Sequence, residues 1–217
     1  MSDTSSLKIH PTAIVDEGAI IGEDTAIWHF SHICTGTVIG KGCSLGQNVL
    51  VAENASLGNN VKVQNNVAIY GGITVEDDVF LGPSCVLTNV TNPRSQVSRK
   101  SLYEKTLIKR GATIGANATI VCGITIGRYC FIGAGTVVTK DIPDYGLVLG
   151  NPGKLSGYMS RHGHKLTFNE SGRATCPESK FVYEKVDQQV RCLDLGEDEV
   201  LPAELSFGSK NYDSFKK

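Results

Sequence analysis

The 217-residue chain has no excess of either charge, with 21 basic side chains against 22 acidic ones. Such a balance gives no footprint for a polyanion or a membrane surface. No apolar run approaches the roughly 18 residues of a membrane span, and the start MSDTSSLKIHPTA lacks the apolar core of a secretory signal. A soluble, cytoplasmic protein is the expectation. Aromatics are scarce at 7% and there are 7 prolines, so an aromatic-rich core is not expected. The seven cysteines (34, 43, 85, 122, 130, 176, 192) are odd in number and scattered, which points to reduced thiols and away from a disulfide framework. No Gly-x-Gly-x-x-Gly, phosphate-loop or nucleophile-elbow pattern occurs.

What the chain does have is glycine, 24 of them, and a period of six. Stepping from Ile9, the residues are Val15, Ile21, Ile27, Ile33, Ile39, Leu45, Val51, Leu57, Val63, Ile69, Val75, Leu81 and Leu87, all aliphatic. After a gap the period resumes at Ile108, Ile114, Ile120, Ile126, Ile132 and Val138. A small or β-branched residue stands two positions before each step, as in Ala13, Thr25, Ser31, Thr37 and Cys43. Glycine often follows the step (Gly22, Gly40, Gly46, Gly58, Gly82, Gly115, Gly127, Gly133), where a tight turn with φ > 0 is expected. Neither a 3.6 nor a 2.0 period explains this repeat. A solenoid of short strands does, three strands closing one triangular coil of eighteen residues and coils stacking about 4.8 Å apart.

The predicted fold class is all-β, a left-handed parallel β-helix over 8–150. A loop is inserted at about 89–106, and a small β-rich extension spans 151–217 with a partly disordered end. The loop is polar and basic, with Arg94, Arg99, Lys100 and Lys105, and Lys109 and Arg110 at its return. Such a cationic patch suits phosphate or carboxylate. Adding eighteen places residues in columns. Asn48 over Asn66 reads as a structural amide ladder, and His29, Gln47 and Asn65 form the next column. In the column Thr35, Glu53, Gly71, Asn89, glycine is expected to open a gap between acid and amide that admits a small acceptor. None of the five histidines (His10, His29, His32, His162, His164) lies in 87–143, so a base at the loop would be Glu53 or an early-coil histidine. His162, His164, Cys176 and Cys192 lack a paired zinc-knuckle spacing, and no metal is assigned.

The hexads resemble those of the hexapeptide-repeat acyltransferases. IWHFSHI, GQNVLV, the run from VQNNVAIYGG to TNVTNPRS, the run from TLIKRGATIG to LGNPGK, and RHGHKLTF with CPES resemble more narrowly the sugar-nucleotide 3-N-acetyltransferases of bacterial surface-polysaccharide (O-antigen) synthesis. The likeness covers residues 8–195 and is nearest to those acetylating UDP-2-acetamido-3-amino-2,3-dideoxyglucuronate. It implies a homotrimer with acetyl-CoA as co-substrate between neighbouring solenoids. The coenzyme would run past Gly115, Ala116, Gly133 and Ala134, with Gly150, Asn151, Pro152 and Lys154 towards its nucleotide end. Asn89 matches the asparagine that approaches the sugar amine. An amide does not titrate, so Asn89 would orient the amine and direct attack would follow in a ternary complex, with Glu53 the alternative proton acceptor. The residues assigned to the nucleotide-linked amino sugar are His29, His32, Gln47, Asn65, Tyr70, Arg94, Arg99, Lys109 and Arg110. Two alternatives stay open: acetylation of a dTDP-3-amino-3,6-dideoxyhexose, which lacks the carboxylate, and a noncatalytic β-helical scaffold.

Overall fold

Most hexads form a two-residue strand, and Ile73–Val75 and Thr106–Ile108 one of three, whose last side chain turns inward because successive residues of a strand face opposite sides. Ile27, Ile33, Ile39 and Leu45 are each at most 1% exposed, while the outward partners Val38 and Val86 are nearly half exposed. The small residues two places earlier also turn inward. Where they carry a hydroxyl it bonds the coil above: Thr25 Oγ1 donates to the Gly40 carbonyl at 2.9 Å and accepts from the Cys43 N–H at 3.1 Å. Ser31 does the same with Gly46 and Val49. These hydroxyls are buried without being left unpaired.

The computed structural model describes residues 7–215. Three parallel sheets form the faces of a solenoid of about eight coils. One begins at Lys8–Ile9 and reaches Gly146–Leu149, where Lys154–Tyr158 joins antiparallel. A second runs from Ile14–Val15 to Val137–Val138, and a third from Ile20–Ile21 to Thr125–Ile126. Partners are eighteen residues apart, as in Lys8↔Ala26 and Ala26↔Ser44. Across the loop Phe80 pairs with Thr113, an offset longer by the fifteen residues that the loop inserts. No α-helix occurs among the described residues, and no helix is long and apolar enough to cross a membrane. All seven cysteines are unpaired thiols.

The glycines after the step residues do not adopt the expected turn conformation. Positive φ falls two residues later, again every six residues, on Gly36, Gly42, Asn48, Asn54, Asn60 and Asn66 among others. Asparagine tolerates this region because its short polar side chain bonds locally. The step glycines are needed for a different reason. A Cβ on Gly40 would lie 2.5 Å from the Gly58 backbone, and one on Gly115 would lie 2.5 Å from the Ala134 nitrogen. Stacked coils approach there more closely than any side chain allows.

The extension carries its own small core. Strands Arg173–Thr175, Val182–Val186 and Gln189–Cys192 form an antiparallel sheet, and Tyr183 packs against Tyr145 of the last coil. Tyr129, at φ 53° in a turn position, lies over Gly111, whose Cβ would fall 2.3 Å from its ring. Its hydroxyl donates to the Glu197 carbonyl at 2.6 Å, and the Tyr145 hydroxyl donates to the Glu197 carboxylate at 2.6 Å. Further on, residues 203–215 return to the sheet. Glu178 accepts the Ser209 N–H at 2.7 Å and the His164 ring at 2.7 Å, and the Phe215 ring packs on His164. These bonds, the Ser209 N–H foremost, hold the Glu178 carboxyl down at about 2.

Gly115→Ala is expected to destabilise the solenoid by about 3 kcal/mol through backbone overlap. Gly36→Ala, at φ +69° with nothing within 4 Å of its Cβ position, is expected to cost only about 1 kcal/mol. Denaturant unfolding of both variants checks the ranking. Because the Glu178 pKa is depressed on folding, its contribution is present above the ordinary value of 4.5 and is lost as pH falls from there towards about 2. Protection factors over residues 203–215, taken relative to the intrinsic exchange rate at each pH, should therefore fall with acidification in that window, and Glu178→Gln should lower them already at pH 7.

Candidate functional site

Strand Val86–Leu87 delivers Asn89 to one corner of the solenoid, and strand Thr106–Ile108 takes the chain back. Continuing the step of six from Leu87 meets Pro93, Arg99 and Lys105. An inward cation there would be buried without a partner, so the segment leaves the ladder as a loop. Its neck is closed by hydrogen bonds. The Glu104 N–H donates to the Asn89 carbonyl at 2.9 Å, and the Glu104 carboxylate accepts both the Thr91 N–H at 3.0 Å and the Thr91 hydroxyl. Cys122 Sγ lies 3.6 Å from that hydroxyl, and a Cβ on Gly123 would fall 2.6 Å from the carboxylate. The Thr91 hydroxyl, then its N–H, holds the Glu104 carboxyl below the usual range. Glu104 is thus a poor proton acceptor near neutral pH and a good clamp.

The loop folds over the adjoining face and encloses an open groove of about 890 Å³, lined among others by Tyr70, Val86, Asn89, Arg94, Arg99, Lys100 and Tyr103. Asn89 and Tyr70 are thereby brought together with the loop cations. Two of these cations also serve the loop itself. Arg99 Nε donates to the Asn92 carbonyl at 2.9 Å and Arg94 donates to the Pro93 carbonyl at 3.2 Å. The expected gap at Gly71 is closed. A Cβ there would meet the Glu53 carbonyl at 2.7 Å and the Tyr103 ring at 3.6 Å, so Tyr103 occupies the space between the coils of Glu53 and Asn89. Glu53 stays exposed at the same corner.

A second corner gathers the other predicted residues into one ridge. Backbone bonds connect it coil by coil: Asn48 N–H to His29, Asn66 to Gln47, Ser84 to Asn65, Asn117 to Pro83, Gly135 to Ala116. The exposed Asn151–Pro152 turn continues it, with the Gly150 carbonyl accepting the Val137 N–H at 3.1 Å and Lys154 exposed just beyond. His29, Gln47 and Asn65 therefore share a ridge with Ala116 and Ala134 and lie apart from the loop. Gly115 and Gly133 give their N–H groups to Ile132 and Val148, so they serve coil contact and cannot donate to a ligand. Asn65 Oδ1 accepts the Gln47 N–H at 2.8 Å, and Asn48 donates to Asn66 at 3.1 Å, the expected ladder. His29 stacks on His10 with ring centroids 3.5 Å apart. His32 faces outward between the two corners, 3.1 Å from Asp16.

Lys109 and Arg110 stand at the third corner and not at the loop. Arg110 binds Asp77 at 2.7 Å, lies 3.6 Å from Asp78 and donates to the Asp198 carbonyl, so its charge is matched within the protein. The return strand is three residues long, and Lys109 follows its far end. Nor does the tail assemble the zinc-like group: His164 pairs with Glu178, and His162 Nε2 lies 3.0 Å from the Leu205 carbonyl. Thr91, Tyr103 and Glu104 are the site residues that sequence reasoning missed. Their signal is faint, a single acid at the end of a basic loop.

The family model for bacterial transferase hexapeptide (six repeats) matches residues 8–53, 54–89 and 105–140, leaving the loop between its second and third segments. The dTDP-3-amino-3,6-dideoxy-alpha-D-galactopyranose 3-N-acetyltransferase of Aneurinibacillus thermoaerophilus is 44% identical over 175 residues, 81% of this chain and 90% of that protein. Among solved structures, a hexapeptide transferase family protein from Anaplasma phagocytophilum superposes with a TM-score of 0.50 at 17% identity, over 71% of this chain and 80% of that one, a likeness of fold alone. PerB from Caulobacter crescentus, solved with CoA and GDP-perosamine, gives a TM-score of 0.45 at 24% identity, over 70% of this chain and 57% of that one. With its repeats matched over more than half its length and a relative aligned nearly end to end, the chain belongs to the bacterial transferase hexapeptide family.

Proposed function

We propose that the protein is an acetyl-CoA-dependent N-acetyltransferase whose acceptor is the 3-amino group of a nucleotide-linked amino sugar. The observation that carries this reading is the relative from Aneurinibacillus thermoaerophilus, 44% identical and covered over 90% of its length, whose acceptor is a dTDP-3-amino-3,6-dideoxyhexose. That relative favours a dTDP-linked acceptor over the UDP-linked glucuronate that the sequence resemblance put first. The placement of charge agrees. The glucuronate reading asked for a cation to meet the carboxylate, yet Lys109 and Arg110 are at another corner, and Arg94 and Arg99 each bind a loop carbonyl. One observation keeps the UDP-linked acid as the second reading, namely that Arg94, Arg99 and Lys100 all line the groove beside Asn89.

In this mechanism the acceptor lies in the loop groove and acetyl-CoA runs along the ridge of Ala116, Ala134 and the 150–153 turn. The two approach each other across the face between them, with a neighbouring solenoid of a homotrimer completing the site. The Asn89 side-chain carbonyl accepts one N–H of the neutral amine and aims its lone pair at the thioester carbon. Nitrogen–carbon bond formation gives a tetrahedral intermediate, carbon–sulfur cleavage expels the CoA thiolate, and the amine proton ends on that sulfur. No acyl-enzyme is formed. Glu104 acts by holding Asn89 through the neck bonds, as a positioning residue.

Release of CoA thiol from acetyl-CoA, measured with the dTDP-linked 3-amino-3,6-dideoxygalactose and the UDP-linked 3-amino glucuronate derivative in parallel, tests the reading. Faster turnover of the dTDP sugar supports it; faster turnover of the UDP acid reverses the order of the two acceptors. Turnover of neither removes the proposal. Asn89→Ala should lower kcat about a hundredfold. Glu104→Gln should lower kcat about tenfold while the KM for acetyl-CoA stays within about twofold, since the clamp faces the acceptor.

A further inference from the structure

Outside the groove and the ridge, the described residues hold one place where three metal-binding side chains converge: Asp16, His32 and Cys34. The repeat brings them together in two ways. Asp16 and Cys34 are eighteen residues apart and share a column, and His32 and Cys34 flank the inward Ile33, Cys34 directly following strand His32–Ile33, so both project to the same outer side. The backbone holds all three in place. Ile14 pairs with His32, the Asp16 N–H donates to Ile33 at 2.9 Å, and the Cys34 N–H donates to Val51 at 2.9 Å.

His32 Nε2 lies 3.1 Å from each Asp16 carboxylate oxygen and 4.0 Å from Cys34 Sγ, and the three donor atoms all fall within 4.8 Å of one another. Zinc bonds of about 2.0–2.3 Å in a tetrahedron set donor separations of about 3.3–3.6 Å, between the two separations found here. The two separations from His32 differ from these by about half an ångström or less, and the third falls within the 4.8 Å that bounds the set. The side chains of His32 and Asp16 are 42% and 38% exposed, which leaves a fourth position open to water. An ordinary His–Asp pair accounts for two of these groups and gives the thiol no part.

We propose that Asp16, His32 and Cys34 bind a divalent transition metal of the zinc class and that the ion staples the first coil of the solenoid to the second. The donor set selects the ion. A thiolate and an imidazole favour zinc and its neighbours over magnesium or calcium, which take oxygen. Without metal, burial and the neighbouring Asp16 raise the Cys34 thiol, while a main-chain bond from Glu53 favours its thiolate. The ion displaces the thiol proton to solvent as the sulfur–metal bond forms. A staple has its use at this end of the molecule. The inward step residues Val15 and Ile21 of the first coil are only partly buried, whereas Ile33 and Ile39, their partners one coil on, are 0% and 1% exposed, so apolar burial holds the first coil less firmly than the second. Terminal repeats with a neighbour on one side fray most readily.

The test uses the untagged full chain stripped of metal. Cobalt(II) titration should give a near-ultraviolet sulfur-to-metal band saturating at one equivalent per chain, and zinc should displace it. Cys34→Ser should abolish the band, His32→Ala should weaken binding by about tenfold or more, and zinc should raise the Tm of the parent protein but not of Cys34→Ser. The six remaining cysteines are buried and common to both proteins. A band and a zinc-dependent Tm that persist unchanged in Cys34→Ser, or no band in the parent protein, overturns the proposal. Neither readout depends on acetyl transfer, so this site stands or falls separately from the catalytic reading.

Discussion

The closeness with which one coil rests on the next governs the rest of this structure. At the step glycines the coil above leaves less than one carbon's room, as the 2.5 Å approach at Gly40 and again at Gly115 shows. That contact keeps the coils in an eighteen-residue register from Lys8 onward and lets each aliphatic step fall beneath the next. Dispersion and ladder hydrogen bonds then repeat with little variation, and stability grows by neighbouring coils in place of one central core. Straight faces and straight ridges follow. A residue's corner is decided by its number, and long sites are laid out as columns.

The loop groove arises where this regularity stops. Between Leu87 and Thr106 the step of six meets no inward aliphatic and the chain is held by individual polar bonds; after the last coil the period also ends, and polar bonds join a small separate core that includes Leu166 and Val190. The loop neck rests on Glu104 and Thr91. The extension rests on Tyr129, Tyr145 and Glu197, with Asp198 reaching the arginines Arg110 and Arg128. These bonds are short in range and particular in geometry, so they define a groove whose shape the repeat could not supply. The same contrast explains why Arg110 is unsuited to a ligand anion: its partners Asp77 and Asp78 belong to the coil beneath it.

Much of this was legible in the residues. The period of six places the strands, the eighteen-residue sum places His29, Gln47 and Asn65 on one ridge, and the fifteen extra residues locate the loop. The reason for the step glycines was not legible, since a residue without a side chain serves a left-handed turn and a tight contact equally well. Nor was the fate of the Gly71 gap. Whether a missing Cβ leaves a pocket depends on what packs there, and the Tyr103 ring comes from a segment with no period. The convergence of Asp16, His32 and Cys34 follows from the columns but carries no motif spacing along the chain.

By itself the sequence determined the all-β solenoid, its coil length, the faces on which side chains lie and membership of a transferase family. It could do so because these depend on local alternation and on a repeat whose every step restates the last. The tertiary structure decided which cations remain near the groove, that Glu104 clamps Asn89, that Tyr103 seals the corner and that the extension is tied through Tyr129 and Tyr145. Each of these joins residues from segments without a shared period, and only the folded path of the chain sets the distance between them.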